Sequence, residues 1–430
     1  MRYQKILYFY LSAIAVGIAT GIIGSLFQIA TNSSGEYLIK FHNYLNSIGV
    51  PAWFYLPLIT LTMVLIAWFM VIKIAPEAAG SGVQHIEGVL MHKLPIRWTR
   101  ILPVKFFGGI LSISSNMVLG REGPTIQMGG NIGKAISKIT NLNQKRCDAL
   151  IAGGAAAGLA TAFNAPLAGV LFVMEEMRES FSLSFLQFKT VAICCVMATI
   201  VLQLILGDKP AIQMAIFQTP SIPYLGLFFI LGLIVGFIGI AFNIVIMRVL
   251  FWMDAQSMNT RFIYVCSVAC LVGVLSWVWP DLVGGGYSII EHSLQITPGI
   301  VLLSLFFLIR FAMTMLCYGT GIPGGIFAPI LSLGTLVGLL VASIFKVFIS
   351  STDIIIEPGM FAIAGMGALF SASVRAPVTG IVLLVEMTQN YGLILPLMMS
   401  CLTATTVTQL AGISPIYTQL LRRTLAANES

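Results

Sequence analysis

Gly80-Ser81-Gly82 sets a hydroxyl between two glycines, and Gly120-Arg121-Glu122-Gly123-Pro124 sets a carboxylate just before a proline suited to the first turn of a helix. Gly319-Thr-Gly-Ile-Pro-Gly-Gly-Ile-Phe-Ala-Pro329 gathers glycine and proline ahead of an apolar run, and Tyr417 follows Gly412 and Pro415. Each segment reads as the start of a helix. The leading N–H groups of a helix lack intrahelical partners and, helped by the helix dipole, bind anions. The available chemistry is anion binding by uncharged donors, with the Glu122 carboxylate as a titratable anion of its own. A second acidic pair, Glu175 and Glu176, closes another apolar run.

The elements that position these residues must sit in lipid. Of 430 residues, 58% are hydrophobic and 9% charged, against about a quarter charged in a soluble protein. No Lys, Arg, Asp or Glu occurs in Ile6–Gly35, Pro210–Met247, Phe311–Phe345 or Met387–Leu421. Each stretch exceeds the roughly 20 apolar residues that a bilayer-crossing helix needs. A large soluble protein with buried helices would need polar helix faces elsewhere, and the sequence has too few charges to supply them.

The net charge of +7 is not gathered in a polar domain, which argues against a nucleic-acid partner. It clusters instead at segment ends: Arg2 and Lys5; Lys93, Arg97 and Arg100; Lys134, Lys138, Lys145 and Arg146; Arg422 and Arg423. The positive-inside rule puts these clusters, and both termini, on the cytoplasmic side. Six of the seven cysteines lie in apolar runs and read as buried thiols, and the four histidines show no ligand spacing. No cofactor or metal is expected, and no cleavable signal peptide.

The sequence reads as one membrane domain over 1–430, with a first half 1–207, a linker 208–223 carrying Pro210, Pro220 and Pro223, and a second half 224–430. Gly154-Ala-Ala-Ala-Gly-Leu-Ala-Thr-Ala-Phe-Asn-Ala-Pro166 matches Gly365-Met-Gly-Ala-Leu-Phe-Ser-Ala-Ser-Val-Arg-Ala-Pro377 with identical Gly-to-Pro spacing. Each is followed by an apolar helix ending in acid, at Glu175 and Glu176 or at Glu386. Such repeats mark channels and transporters, with the site at the repeat interface; chance likeness between Gly/Ala-rich helices is the plainer alternative. Gly80–Gly88, Gly120–Gly133, Gly153–Pro166, Gly319–Gly334 and Gly365–Pro377 read as broken helices. Breaks at membrane depth must line protein or water.

These motifs, with Gly80-Ser-Gly-Val-Gln-His-Ile-Glu-Gly88, Leu102-Pro-Val-Lys-Phe-Phe-Gly108 and Gly120-Arg-Glu-Gly-Pro-Thr-Ile-Gln-Met-Gly-Gly-Asn-Ile-Gly133, resemble the CLC family of chloride channels and chloride/proton exchangers, in order and over nearly the whole length. The look is closest to the bacterial exchangers. The resemblance implies an all-α polytopic fold of two inverted-topology halves with tilted and discontinuous helices. It implies a homodimer with one pathway per subunit, in a bacterial inner membrane, with chloride and protons as substrates. It implies a central chloride held by the Ser81 and Tyr417 hydroxyls and the backbone N–H groups of Ile326 and Phe327. Glu122 takes the place of the gating glutamate, flanked by Gly120, Arg121 and Gly123 at the helix start beside an outer anion position. Glu176 takes that of the internal proton-transfer glutamate. Where the family often has Pro and Glu, this sequence has Gln84 and His85, which bears on the start of that helix and on selectivity. No C-terminal nucleotide-binding regulatory pair is expected.

The physics agrees with these roles. Uncharged donors hold an anion loosely enough to release it. A carboxylate beside helix N-termini can itself take the anion's seat, and protonation removes its reason to stay. Plainer roles stand beside these: tight helix packing for Ser81, an interfacial anchor for Tyr417, an Arg121–Glu122 ion pair, and a solvated cluster of Glu175, Glu176 and Arg178. Glu386 and Arg375 read as structural, and Lys105 and Glu87 as shaping the field or the subunit contact. The functional alternatives are a passive chloride channel of the same fold and, from another class, an intramembrane serine hydrolase with His85 as base to Ser81. Sodium-coupled solute transport is a further possibility that broken helices alone would allow.

Overall fold

The computed structural model describes residues 2–178, 184–217, 219–295, 297–348 and 356–429. Its first half holds α1 (Arg2–Ser47), α2 (Ala52–Lys73), α3 (Val83–Leu90), α4 (Trp98–Ser114), α5 (Glu122–Ile139), α6 (Gln144–Phe163), α7 (Pro166–Glu175) and α8 (Phe185–Leu206). The second holds α9 (Leu225–Asp254), α10 (Met258–Val278), α11 (Tyr287–Gln295), α12 (Ile300–Gly319), α13 (Phe327–Phe348), α14 (Pro358–Val374), α15 (Pro377–Thr388), α16 (Ile394–Leu410) and α17 (Ile416–Glu429). Apart from isolated bridges, the described residues form no strand. Among the described residues, eight spans are long and apolar enough to cross a membrane. In α13 67% of the most apolar window is buried within the protein, against 28–39% in the other seven, so α13 is the most enclosed of these eight spans.

The glycine-rich stretches break less than their composition predicts. α5 runs through Gly129, Gly130 and Gly133, α6 through Gly153, Gly154 and Gly158, and α14 through Gly365 and Gly367. Tertiary packing overrides the low helix propensity of glycine here. A Cβ at Gly154 would collide with the Gly129 carbonyl, and one at Gly365 with that of Gly334, so these glycines let α5 meet α6 and α13 meet α14 backbone to backbone. The true interruptions are short. α6 ends at Asn164 (φ +53°) and α14 at Arg375 (φ +67°), both left-handed; each is followed by alanine and then a proline opening the next helix. Matched positions of the two sequence repeats thus share one backbone conformation.

The helices after these interruptions cap each other. Glu386, near the end of α15, accepts hydrogen bonds from Leu167 N (3.1 Å) and Ala168 N (2.8 Å) at the start of α7. Glu175, the last residue of α7, accepts from Val378 N (3.1 Å), Thr379 N (2.6 Å) and Thr379 Oγ1 (2.7 Å) at the start of α15. Each carboxylate satisfies N–H groups that a helix start leaves unpaired. Between α8 and α9 the chain runs as an irregular segment tied to the end of α15, with Ile212 N donating to Met387 O (3.1 Å) and Phe217 N to Asn390 Oδ1 (2.7 Å).

Candidate anion site at three helix starts

Three loops ahead of α3, α5 and α13 are stitched together by backbone hydrogen bonds. Gly80 N donates to Ile322 O (3.2 Å) and Gly324 N to Gly80 O (3.0 Å). Gly120 N donates to Gly325 O (2.8 Å) and Gly325 N to Gly120 O (2.7 Å). The three helix starts therefore form one frame, although they lie far apart in sequence. Gly120 belongs to that frame: its N–H is bonded to Gly325 O and is not a donor left for an anion.

Side chains brace the frame from behind. Lys105 of α4 is fully buried, and its Nζ donates to Ala78 O (3.0 Å) and Gly80 O (2.6 Å). It thereby holds the loop leading into Ser81. Ser112 Oγ donates to Pro323 O. Gln127 Nε2 donates to Glu77 O (2.8 Å), and its side chain lies where a Cβ on Gly82 would have to go. Gly82 also takes φ +86° as the N-cap of α3, a conformation that costs glycine nothing.

Ser81 is buried at the mouth of this frame, with its N–H 3.4 Å from the Tyr318 hydroxyl. Tyr417, the second residue of α17, is fully buried and close enough to Ser81 for the two hydroxyls to act on each other. Among the described residues, neither Ser81 Oγ nor Tyr417 Oη has a hydrogen-bond partner within the usual distance and angle. A buried hydroxyl without a partner costs about 1–3 kcal/mol, and two sharing one pocket form a donor pair suited to a small anion. Phe327, the first residue of α13, stacks its ring on Tyr417 at 5.9 Å between centroids and contacts Phe163, Phe172 and Phe370. Ile326, just before it, is fully buried. The aromatic cluster keeps the hydroxyl pair in apolar surroundings, where a hydrogen bond to an anion is strong.

Tyr417 is placed by a residue that reads from sequence as merely structural. The Arg375 guanidinium donates to Ile413 O (2.7 Å) and Thr408 O (3.3 Å), fixing the turn before α17.

Glu122 opens α5 and is fully buried. Its neighbour Gly123 abuts Ser81: a Cβ there would collide with Ser81 Oγ. A Cβ on Gly120 would strike Glu122 Oε2 and come within 3.1 Å of Ala328 N, so the carboxyl and the first turn of α13 crowd one point. Oε1 accepts a hydrogen bond from Tyr287 Oη at 2.8 Å, and Oε2 has no partner. Arg121 lies over the Tyr287 ring at 5.2 Å. Glu176 stands at the C-cap of α7, half-buried, within electrostatic reach of Tyr417. Ser81, Gly123, Glu122, Ile326, Phe327 and Tyr417 thus meet in one place, with Glu176 to one side.

Tyr287 and Tyr318 are the positions that sequence reasoning missed, while Arg375 has the structural role read for it. The pairing of His85 with Ser81 is not formed: His85 Nε2 sits 3.1 Å from Pro95 O, and Ser81 Oγ has no well-formed hydrogen bond among the described residues.

Residues 63–409 match the voltage gated chloride channel family. An H(+)/Cl(-) exchange transporter ClcA of Vibrio parahaemolyticus is 45% identical over 417 residues, covering 96% of this chain and 89% of the relative. One of Citrobacter koseri is 40% identical over 434 residues, covering 98% and 89%. The crystal structure of a slow cyanobacterial Cl-/H+ antiporter superposes with a TM-score of 0.94 at 40% identity, covering 98% of this chain and 99% of the other. A CLC-type fluoride/proton antiporter at 18% identity shares the fold, with a TM-score of 0.77. A family match across most of the chain, joined to a site of helix starts and orphaned hydroxyls, places this protein in the voltage-gated chloride channel (CLC) family.

Proposed function

We propose that this protein exchanges chloride for protons across a bacterial inner membrane, with chloride passing between Ser81 and Tyr417 and the Glu122 carboxyl serving as both gate and proton carrier. The observation that carries the reading is the pair of buried, unpartnered hydroxyls beside a buried carboxyl that crowds the start of α13. Relatives at 40–45% identity bear the name of exchange transporters.

The linkage is one of occupancy. Ionised Glu122 is an anion seated at helix starts, where it excludes chloride. A proton neutralises it, weakens its hold and lets it leave; chloride takes the vacated place, and the proton travels on the swung side chain. Glu176, half-buried at the C-cap of α7 and within electrostatic reach of Tyr417, hands protons between the opposite solution and this region.

One pathway per subunit in a homodimer belongs to the same reading, on the strength of the family alone. The basic clusters gather: Lys93, Arg97 and Arg423 line one cavity of 580 Å³ beside Gly80, and Arg97, Arg100 and Lys138 line another. That end faces the cytoplasm under the positive-inside rule.

The deciding measurement is paired chloride and proton flux on protein reconstituted in liposomes. An outward chloride gradient is expected to drive protons inward against their own gradient. Chloride flow with no proton movement would leave only a passive pathway.

A further inference from the structure

Tyr287 is held more firmly than a packing residue requires. It is the first residue of α11, and the glycine run Gly284-Gly285-Gly286 delivers it. That run is clamped from α12 by Arg310, which is fully buried. The Arg310 guanidinium donates to Val283 O (3.2 Å), Gly284 O (3.1 Å) and Ser332 Oγ (3.0 Å). Gly284 N donates to Asn116 O (2.7 Å). Gly286, at φ +99°, passes so close to Arg310 and Ser332 that no side chain fits. The clamp leaves the phenol one direction, with the Arg121 guanidinium over its ring and its hydroxyl on Glu122 Oε1 at 2.8 Å.

The bond favours one state of the gate. A hydroxyl bonded to an ionised carboxylate is about twice as strong as the same bond to a neutral group. The described charged and titratable groups around Glu122 are few. Arg121 is its neighbour on α5, Tyr287 comes from α11, and Arg310 of α12 stands behind the glycine run. α13 presents backbone N–H and Ser332. α3 and α17 present Ser81 and Tyr417, with Lys105 of α4 beneath Gly80. Tyr287 is the side chain whose hydrogen bond to the carboxyl is in place.

We propose that Tyr287 is a positioning residue for the exchange reaction: its hydroxyl latches the ionised Glu122 side chain in the anion path, lowering the pH at which the gate opens and slowing turnover near neutrality. The proposal rests on the reading of Glu122 as gate. The sign follows directly. The latch stabilises the carboxylate form, so removing it lets Glu122 take a proton at higher pH.

The test is the pH profile of chloride and proton flux in liposomes. Tyr287→Phe is expected to move the profile about one pH unit in the alkaline direction, with roughly tenfold faster chloride turnover on its alkaline limb, the scale set by one hydrogen bond to a charged group. Proton coupling persists, because Glu122 remains. A more acidic phenol, 3-fluorotyrosine placed at position 287, strengthens the donor and moves the profile the other way. This arm decides the matter should the phenylalanine variant fail to fold. Profiles that superimpose on that of the parent protein overturn the latch, as does a shift that survives in a Glu122→Gln background. Glu122→Gln alone separates the two readings. If it uncouples protons while Tyr287 variants shift nothing, the latch is wrong and the gate stands. If it leaves coupling intact, the gate is wrong and the latch falls with it.

Discussion

Ser81 and Tyr417 keep neighbouring hydroxyls in an apolar pocket, and neither has a well-formed hydrogen bond among the described residues. Folding alone would favour alanine and phenylalanine at these positions, and the proposed role in binding chloride supplies a reason for the polar atoms. Two effects of opposite sign follow for Ser81→Ala. Chloride affinity, measured by calorimetric titration, falls about tenfold or more, because a donor to an anion is worth roughly 1.5–3 kcal/mol. The melting temperature in chloride-free buffer does not fall, since a costly buried hydroxyl has gone. Ser81, Glu122 and Tyr417 were legible because each stands in a local pattern of glycine or proline that marks a helix start. Tyr318 and Tyr287 were not. They reach their partners across 237 and 165 positions, and nothing in their immediate neighbours announces the contact.

The elements matter through their ends. α7 and α15 are short helices whose opening N–H groups are closed by the other's terminal carboxylate. Glu386→Gln keeps one acceptor oxygen and loses the charge that suits a helix start. It is expected to lower stability by about 1–2 kcal/mol, seen as a lower melting temperature with chloride affinity intact. Arg375→Ala acts differently, because its guanidinium holds the turn at 408–413 that aims Tyr417. Chloride affinity should weaken with Ser81 untouched, and Arg375→Lys should restore it only in part, since a flexible, strongly hydrated ammonium lacks the rigid planar geometry with which the guanidinium Nη2 reaches both carbonyls. At this scale the sequence showed where chain direction changes, through the Ala-Pro pairs at 165–166 and 376–377. It misled over the glycines inside α5, α6 and α14. A glycine that breaks a helix and one that admits a neighbouring backbone look alike until the neighbour is known.

The whole molecule is legible as membrane-embedded, because apolar run length is a property of the chain as a whole, and the matched Gly-to-Pro spacing marks the two places where α6 gives way to α7 and α14 to α15. Its sidedness can be tested directly. Lys138 is exposed at the end where the basic clusters gather. Cysteine placed at 138 should react with a membrane-impermeant thiol reagent in inside-out vesicles and not in intact cells. Labelling from outside would invert the assignment of both termini and of the two proton-access routes. Cys194, Cys317 and Cys401 are buried, but Cys266 and Cys270, read from the sequence as buried thiols, are only partly so, and the labelling is done with both replaced by serine.

The crossed caps of α7 and α15 also bear on how the protein is made. Leu167 waits for Glu386, 219 positions downstream. At a ribosomal pace of about 5–20 residues per second, that is roughly 10 to 45 s. During this interval the opening amides of α7 need a stand-in, whether water, lipid headgroup or insertion machinery. Neither half completes its own helix starts, so fragments split between α8 and α9 should accumulate only when translated together.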